Sequence, residues 1–440
     1  MNQLIFLILF SFTILNCIAQ NTDTILIKNV NVIPMTEEVV LENQNVLISG
    51  GRIVSIGSDS ISNGQIIDGT DKFLIPGLSE MHYHWRSTKT GIERDLKLLI
   101  ANGITTARNM AEYEGQDHVT IRNKIKSGEI LGPDYYTTGP YLKKEQLETK
   151  EQISDVIATH VSNKYDFLKL ADNLPKELYL FLLSESHKNG IPVIGHAQRK
   201  LPLEYSLRMK SLEHVEDFVY VFNKEENWSY VNDDVQELNS IADEVQQSGI
   251  FITPTLVVFE SLTQYIDDSV FTSLQNDDMV KYLPSDQRIK FLTEQNEYRG
   301  MKNLILDDIQ VSALFRKYFI WMRKFSRILA DKKVMLMSGS DTYGVVYVGF
   351  SLHREFEIMQ EIGMRPFDIL RTSTTTPARY LGKYSEDGTI SEGKKANLVL
   401  LNKNPLDNIS NTKTIECVLL NGKLLDRIQL NILLKEAEID

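Results

Sequence analysis

Cysteine is nearly absent from this chain: Cys17 and Cys417 are the only two in 440 residues. That count excludes a disulfide-rich scaffold and a cysteine-built zinc ribbon. An excess of positive charge is also missing. Lys and Arg number 47 against 59 Asp and Glu, for a net charge of -12, so nucleic acid is excluded as a partner because phosphate binding needs a basic footprint. Low-complexity tracts are absent, as are internal apolar runs long enough to cross a bilayer. With 42% hydrophobic and 24% charged residues, the composition is that of a globular protein. The length exceeds that of one compact core of usual size, so a large domain with a smaller satellite is expected.

The first 19 residues stand apart. Leu4 to Leu15 is almost unbroken apolar sequence, and small residues around Ala19 precede Gln20. This is the shape of a cleaved export signal, too short for a membrane span. It lacks Lys or Arg ahead of the apolar run. The expected location is therefore periplasmic or secreted, with no transmembrane span in the mature form. Lipoprotein anchoring at Cys17 and a buried N-terminal helix are the alternatives. Cleavage before Gln20 would leave Cys417 alone, either as a free thiol or as a small side chain packed in the strand-like run 414–420.

Residues 24 to 70 and 388 to 426 read as short strands, such as Ile25 to Val32, Asn45 to Ser49, Ala396 to Leu401 and Cys417 to Lys423. Both chain ends are thus expected to build one small β-sandwich domain, over 20–72 and 386–428. Between them strand and helix alternate. Strand candidates are Phe73 to His84, Gly103 to Met110, Asp134 to Tyr141, Phe167 to Ala171, Pro192 to Gln198, Ser211 to Asp217, Phe251 to Phe259 and Val334 to Asp341. Eight such units predict an α/β fold, a (β/α)8 TIM barrel over 73–385, although β/α repetition is equally compatible with an open sheet. The polar, helical stretch 261–310 is a candidate lid.

Residues 81–85 read MHYHW. Two apart on a strand, His82 and His84 face the same way, as two ligands of one metal must. Four more metal-capable residues fall at the ends of later strand candidates: Lys169, His196, His214 and Asp341. In a barrel those ends converge on one mouth. Each also has a bland alternative. Asp341 suits a helix cap, the histidines suit the core, and Lys169 suits a barrel lysine beside a single metal. Tyr220, Thr255, Tyr343 and Arg354 are candidate mouth residues. His353 fits either substrate contact or a cap on its helix. His118, His160 and His187 read as surface residues.

This order resembles the amidohydrolase superfamily, with a closer likeness to exported relatives of imidazolonepropionase. It rests on the HxH pair and on Lys169 to Pro175, Gly349 to His353, Thr376 to Arg379, Gly393 to Leu401 and Asn404 to Asp407. It covers nearly all of the chain after the leader. The resemblance implies that His82, His84 and Asp341 hold one metal and that His196 and His214 hold a second. Lys169, carboxylated by carbon dioxide, would bridge them. Nitrogen and oxygen donors suit zinc. Implied with them is hydrolysis of an amide-type C–N bond by hydroxide formed at neutral pH, with Asp341 as the proton carrier. Glu80 and Asn397 each stand where relatives carry Asp. Arg199 stands where deaminases carry Glu, which disfavours a nucleobase deaminase. The expected substrate is a small molecule, a dipeptide first and an Xaa-Pro dipeptide among these. The alternatives are a one-metal cyclic amide hydrolase like imidazolonepropionase and a binding protein that has lost catalysis. A homo-oligomer is neither required nor excluded.

Overall fold

The computed structural model describes residues 24–57, 64–87, 90–223 and 227–439. The apolar leader and Cys17 lie outside them. None of the helices among the described residues is long and apolar enough to cross a membrane.

All eight expected β/α strands are present: Leu78–Tyr83, Ile104–Asn109, Asp134–Thr137, Leu168–Leu170, Val193–Gly195, Ser211–Glu213, Phe251–Thr253 and Met335–Leu336. The first three pair in parallel, and so do the last five. Backbone hydrogen bonds join the two groups into a closed ring. At one seam Met81 N donates to Ser338 O at 3.0 Å and Asp341 N to His82 O at 2.8 Å; at the other Asp166 N donates to Thr137 O at 2.9 Å. Closure leaves no unpaired edge, so short strands suffice. Helices such as Ile92–Ala101, Lys150–Asn163 and Val311–Asp331 cover the outside. The last of these buries Leu314, Tyr318, Trp321, Phe325 and Leu329, a stripe at helical spacing.

The small domain is one continuous eight-stranded sheet made by both chain ends. Its C-terminal strands Leu398–Leu401 and Ile415–Leu420 have two buried faces. Leu398, Leu400, Cys417 and Leu419 pack with Ile25, Ile27 and Val46 in the small core. Val399, Leu401, Val418 and Leu420 belong to the barrel's core. That is why these strands read as apolar runs, interrupted only at Glu416. Cys417 is buried there, its thiol pushed up to about 12 by burial, so it serves as a packing residue rather than a reactive thiol.

Three readings need correction. Phe73–Pro76 pairs with Leu398–Leu401 in the small sheet, so the first barrel strand starts only at Leu78. The chain crosses over at Gly77, where a Cβ would lie 2.1 Å from Thr105 Oγ1. The run after Phe251–Thr253 is apolar but helical, Leu256–Tyr265, because the Glu355 carboxylate accepts from Leu256 N and Val257 N at its start. His118 and His160 are buried on the inner faces of their helices; His118 bonds Tyr135 Oη and Gln116 Oε1, and His160 Nδ1 bonds Val156 O. His187 is exposed as expected.

Candidate metal centre

The mouth of the barrel is a cavity of about 920 Å³. His84, Lys169, His196, His214 and Asp341 line it, with Arg86, Tyr113, Tyr141 and Tyr343 above them. His82 lies beneath, fully buried. Each ligand candidate sits at or just beyond the C-terminal end of its strand, where barrels place their chemistry. The ring centroids of His82 and His84 are 5.2 Å apart, those of His82 and His214 4.6 Å, and those of His196 and His214 4.8 Å. Asp341 Oδ1 is 3.8 Å from His82 Nε2 and 3.5 Å from His84 Nε2. Lys169 Nζ is 3.4 Å from His82 Nε2. One ligand atom from each of His82, His214 and Asp341 falls within 4.8 Å of the others.

Strained backbone aims two of these groups. His214 has φ +70° and Asp341 φ +45°, left-handed values that cost a side chain about 1 kcal/mol or more each. Both amides stay tied to neighbouring strands, His214 N to Thr253 O and Asp341 N to His82 O, each at 2.8 Å. Such strain persists only where the surroundings over-determine it. Here it turns side chains from the ends of strands toward one point. At Gly339 a Cβ would lie 2.6 Å from the Cβ of His82, so only glycine lets the eighth strand approach the first.

The protonation states suit a metal. Burial, with Lys169 and Arg86 nearby, holds the His82 and His84 imidazoles well below their ordinary range; His214 is lowered by burial and by His82 and His196. Burial would raise Asp341, but His82, Arg86 and Lys169 outweigh it and keep a carboxylate. Three of the imidazoles are also oriented from behind. His82 Nδ1 is 3.0 Å from Glu213 Oε2, and His196 Nδ1 is 3.3 Å from Asp217 Oδ2. His214 Nδ1 is 2.7 Å from Thr255 Oγ1, whose own proton goes to Pro254 O. In each, an Nδ1–H donor leaves Nε2 with the lone pair. An ion held tetrahedrally at about 2.0–2.2 Å keeps its ligand atoms roughly 3.3–3.6 Å apart. The Asp341 to His84 distance of 3.5 Å falls in that range and the Asp341 to His82 distance of 3.8 Å lies just beyond it, so the donor set fits a divalent metal.

Arg86, Arg108, Glu213 and Asp217 were not singled out from the sequence. Arg86 donates to Asp341 Oδ1 at 3.2 Å and lies over the Tyr343 ring at 4.7 Å. Asp217 accepts from Arg199 and from Ala197 N. Burial would raise its carboxyl, but His196 and Arg199 hold it well below the usual range. Nearness to ligands in sequence was the available signal, since Arg86 follows His84 by two and Asp217 follows His214 by three.

Other candidates fall elsewhere. Tyr220 lies under the Arg199 guanidinium at 4.0 Å, in a neighbouring groove. Arg354 pairs with Glu260 and Glu361 on helix surfaces. His353 is buried between Thr412 Oγ1 and Asn102 O and does not line the mouth; both its nitrogens are engaged, which corrects the expectation that it touches substrate. The 261–310 stretch lines none of the mouth either. It has its own core around Tyr265, Phe271 and Phe291, and it braces Tyr343 through Phe291 and Tyr298.

A closed parallel barrel with a His, Lys and Asp nest at its C-terminal mouth, beside a sheet from both chain ends, defines the class. The chain belongs to the amidohydrolase family, whose match runs over residues 73–425. It is 25% identical over 380 residues to an adenine deaminase of Clostridium perfringens (strain 13 / Type A), covering 81% of this chain and 52% of that one. The chain spans about half the length of the curated relatives it matches first. Among solved structures it resembles a Xaa-Pro dipeptidase with methionine bound in its active site (TM-score 0.67, 18% identity, 92% of this chain and 100% of that one). It also resembles a bottromycin amidohydrolase (TM-score 0.73, 20% identity, 95% and 91%). At these identities the structural likeness speaks for the fold alone.

Proposed function

We propose that this chain hydrolyses a C–N amide bond of a small substrate at a divalent-metal centre, and that the substrate is a dipeptide. The observation that carries the reading is the convergence of His82, His84, Lys169, His196, His214 and Asp341 on one cavity. A divalent ion bound there would supply hydroxide at neutral pH and polarise the scissile carbonyl. His82, His84 and Asp341 would hold one ion, His196 and His214 a second, and zinc fits the donors. Burial pushes the Lys169 ammonium down to about 8, leaving roughly a tenth of it as free amine at pH 7. That amine would add carbon dioxide and release a proton, and the resulting carbamate would supply anionic oxygen to bound metal. Asp341, facing the same space, would take a proton and pass it to the departing nitrogen.

The walls favour a carboxylate-bearing substrate. Arg86 presents a guanidinium at the rim, flanked by Tyr113 and Tyr343, and such a fork matches a peptide's terminal carboxylate. The fold shared with a Xaa-Pro dipeptidase is compatible with the same substrate class. The apolar leader supports an exported peptide scavenger. Adenine deamination is a second reading, favoured by the sequence likeness; against it, Arg199 takes the deaminase carboxylate's place and is bound to Asp217.

Metal analysis with a screen of dipeptides, cyclic amides and adenine tests the proposal. Two metals per chain with dipeptide turnover is the expected result. Bound metal without turnover of any amide or ester would favour a binding protein. One metal with unmodified Lys169 would remove the bridged version, and adenine turnover would reverse the choice of substrate.

A further inference from the structure

We propose that Glu213, anchored by Arg108, is a positioning residue that locks His82 in the tautomer able to bind a metal. The inference rests on the metal-centre reading above.

Both side chains are fully buried inside the barrel. Arg108, on the second strand, spends its guanidinium on five groups. Nε donates to Met81 O at 2.7 Å, Nη1 to Tyr380 Oη at 2.7 Å and to Ser211 Oγ at 3.3 Å. Nη2 donates to both Glu213 oxygens at 2.9 Å and, at 3.4 Å, to Thr253 Oγ1. Glu213, on the sixth strand, also accepts from Ser211 Oγ at 2.8 Å. Its remaining neighbour is His82 Nδ1 at 3.0 Å. A carboxylate beside an arginine only accepts. The proton of that contact must therefore sit on His82 Nδ1. The lone pair is then forced to Nε2, the nitrogen that faces Lys169 and Asp341.

Stability alone does not explain the pair. Apolar residues of similar volume usually hold a core as well as a buried ion pair does, or better. What they cannot do is choose a tautomer. The pair crosses the barrel from second strand to sixth and reaches the first through His82 and Met81 O. One arrangement thus ties three strands to the orientation of one imidazole.

Three measurements test this. In metal-free wild-type protein at neutral pH, 15N NMR of histidine, with His82 assigned through His82→Asn, should show Nδ1–H. An Nε2–H tautomer overturns the proposal with no variant needed. Glu213→Gln should lower zinc affinity about 10–100-fold in chelator competition; a change under twofold overturns it. Arg108→Met should lower affinity similarly, and the double variant should be no worse than the weaker single, because Arg108 acts through Glu213. Full additivity overturns the coupling. If Arg108→Met fails to fold, Tyr380→Phe, which removes one hydroxyl from the guanidinium, replaces it in the cycle. Failure of the wild-type protein to bind zinc would instead defeat the metal-centre reading, while the tautomer measurement would still judge this one.

Discussion

Replacing Arg86 separates reading the substrate from holding the site. Its guanidinium donates to Asp341 Oδ1 at 3.2 Å and to Thr342 O at 3.1 Å, yet it lines the mouth. Arg86→Met therefore removes two things, support for Asp341 and a partner for a substrate carboxylate. A charge-assisted hydrogen bond contributes about 1.5–3 kcal/mol. Two from one fork, partly screened by solvent at the rim, give about 3 kcal/mol in total, or roughly 100-fold in kcat/KM. The assay is kcat/KM for a dipeptide and for its C-terminal amide, on wild type and variant. Wild type should prefer the free acid by about 100-fold, and Arg86→Met should erase the preference. Arg86→Lys should recover only part of it, since a point charge does not replace a planar fork. Any fall common to both substrates measures the Asp341 effect. Equal falls on both, with the preference intact, would refute carboxylate reading by Arg86.

Lys169 should show a carbamate signal in 13C NMR after growth or exchange in labelled bicarbonate. Lys169→Arg should lose that signal and retain at most one metal per chain; two metals in the variant would refute the bridge. His118 and His353 are pushed from 6.5 down to about 4 by burial, so between those values the unfolded chain binds two protons that the folded chain refuses. Stability is full above about pH 6.5 and falls toward pH 4 by up to about 3 kcal/mol per histidine. Denaturant titrations at pH 7 and 4.5 check this, and a His118→Gln, His353→Gln double variant with an unchanged loss would refute it. Gly339→Ala puts a methyl group 2.6 Å from His82 Cβ. It should cost about 1–3 kcal/mol in stability together with metal affinity, both read by thermal melts with and without zinc.

What the sequence made legible was periodicity and punctuation. Five of the eight strand ends carry the ligand candidates, and both-ended strand runs marked the small sheet. The misses came where tertiary partners override local pattern. Leu256 to Phe259 is as apolar as any strand, but a carboxylate 99 positions away caps it into a helix. His118 and His160 looked polar and therefore exposed, yet each finds buried partners. Phe73–Pro76 and Leu78–Tyr83 read as one strand because nothing local reports that Gly77 passes against Thr105.

The site's supporting residues were illegible for a sharper reason. On the sixth strand Ser211 and Glu213 face the barrel interior and Leu212 faces its outer core. Strict alternation would then turn His214 outward, away from any metal. The left-handed backbone at His214, φ +70°, breaks the alternation and brings two consecutive side chains to the same side. One of them becomes a ligand candidate, and the other serves a ligand candidate on the first strand. A period-two reading cannot place both Glu213 and His214 inside. Only the ring closed by Met81 N to Ser338 O brings His82 within reach of that carboxylate. The histidines are therefore visible as a list in the sequence, whereas the groups that decide which nitrogen each one offers exist only in the closed barrel.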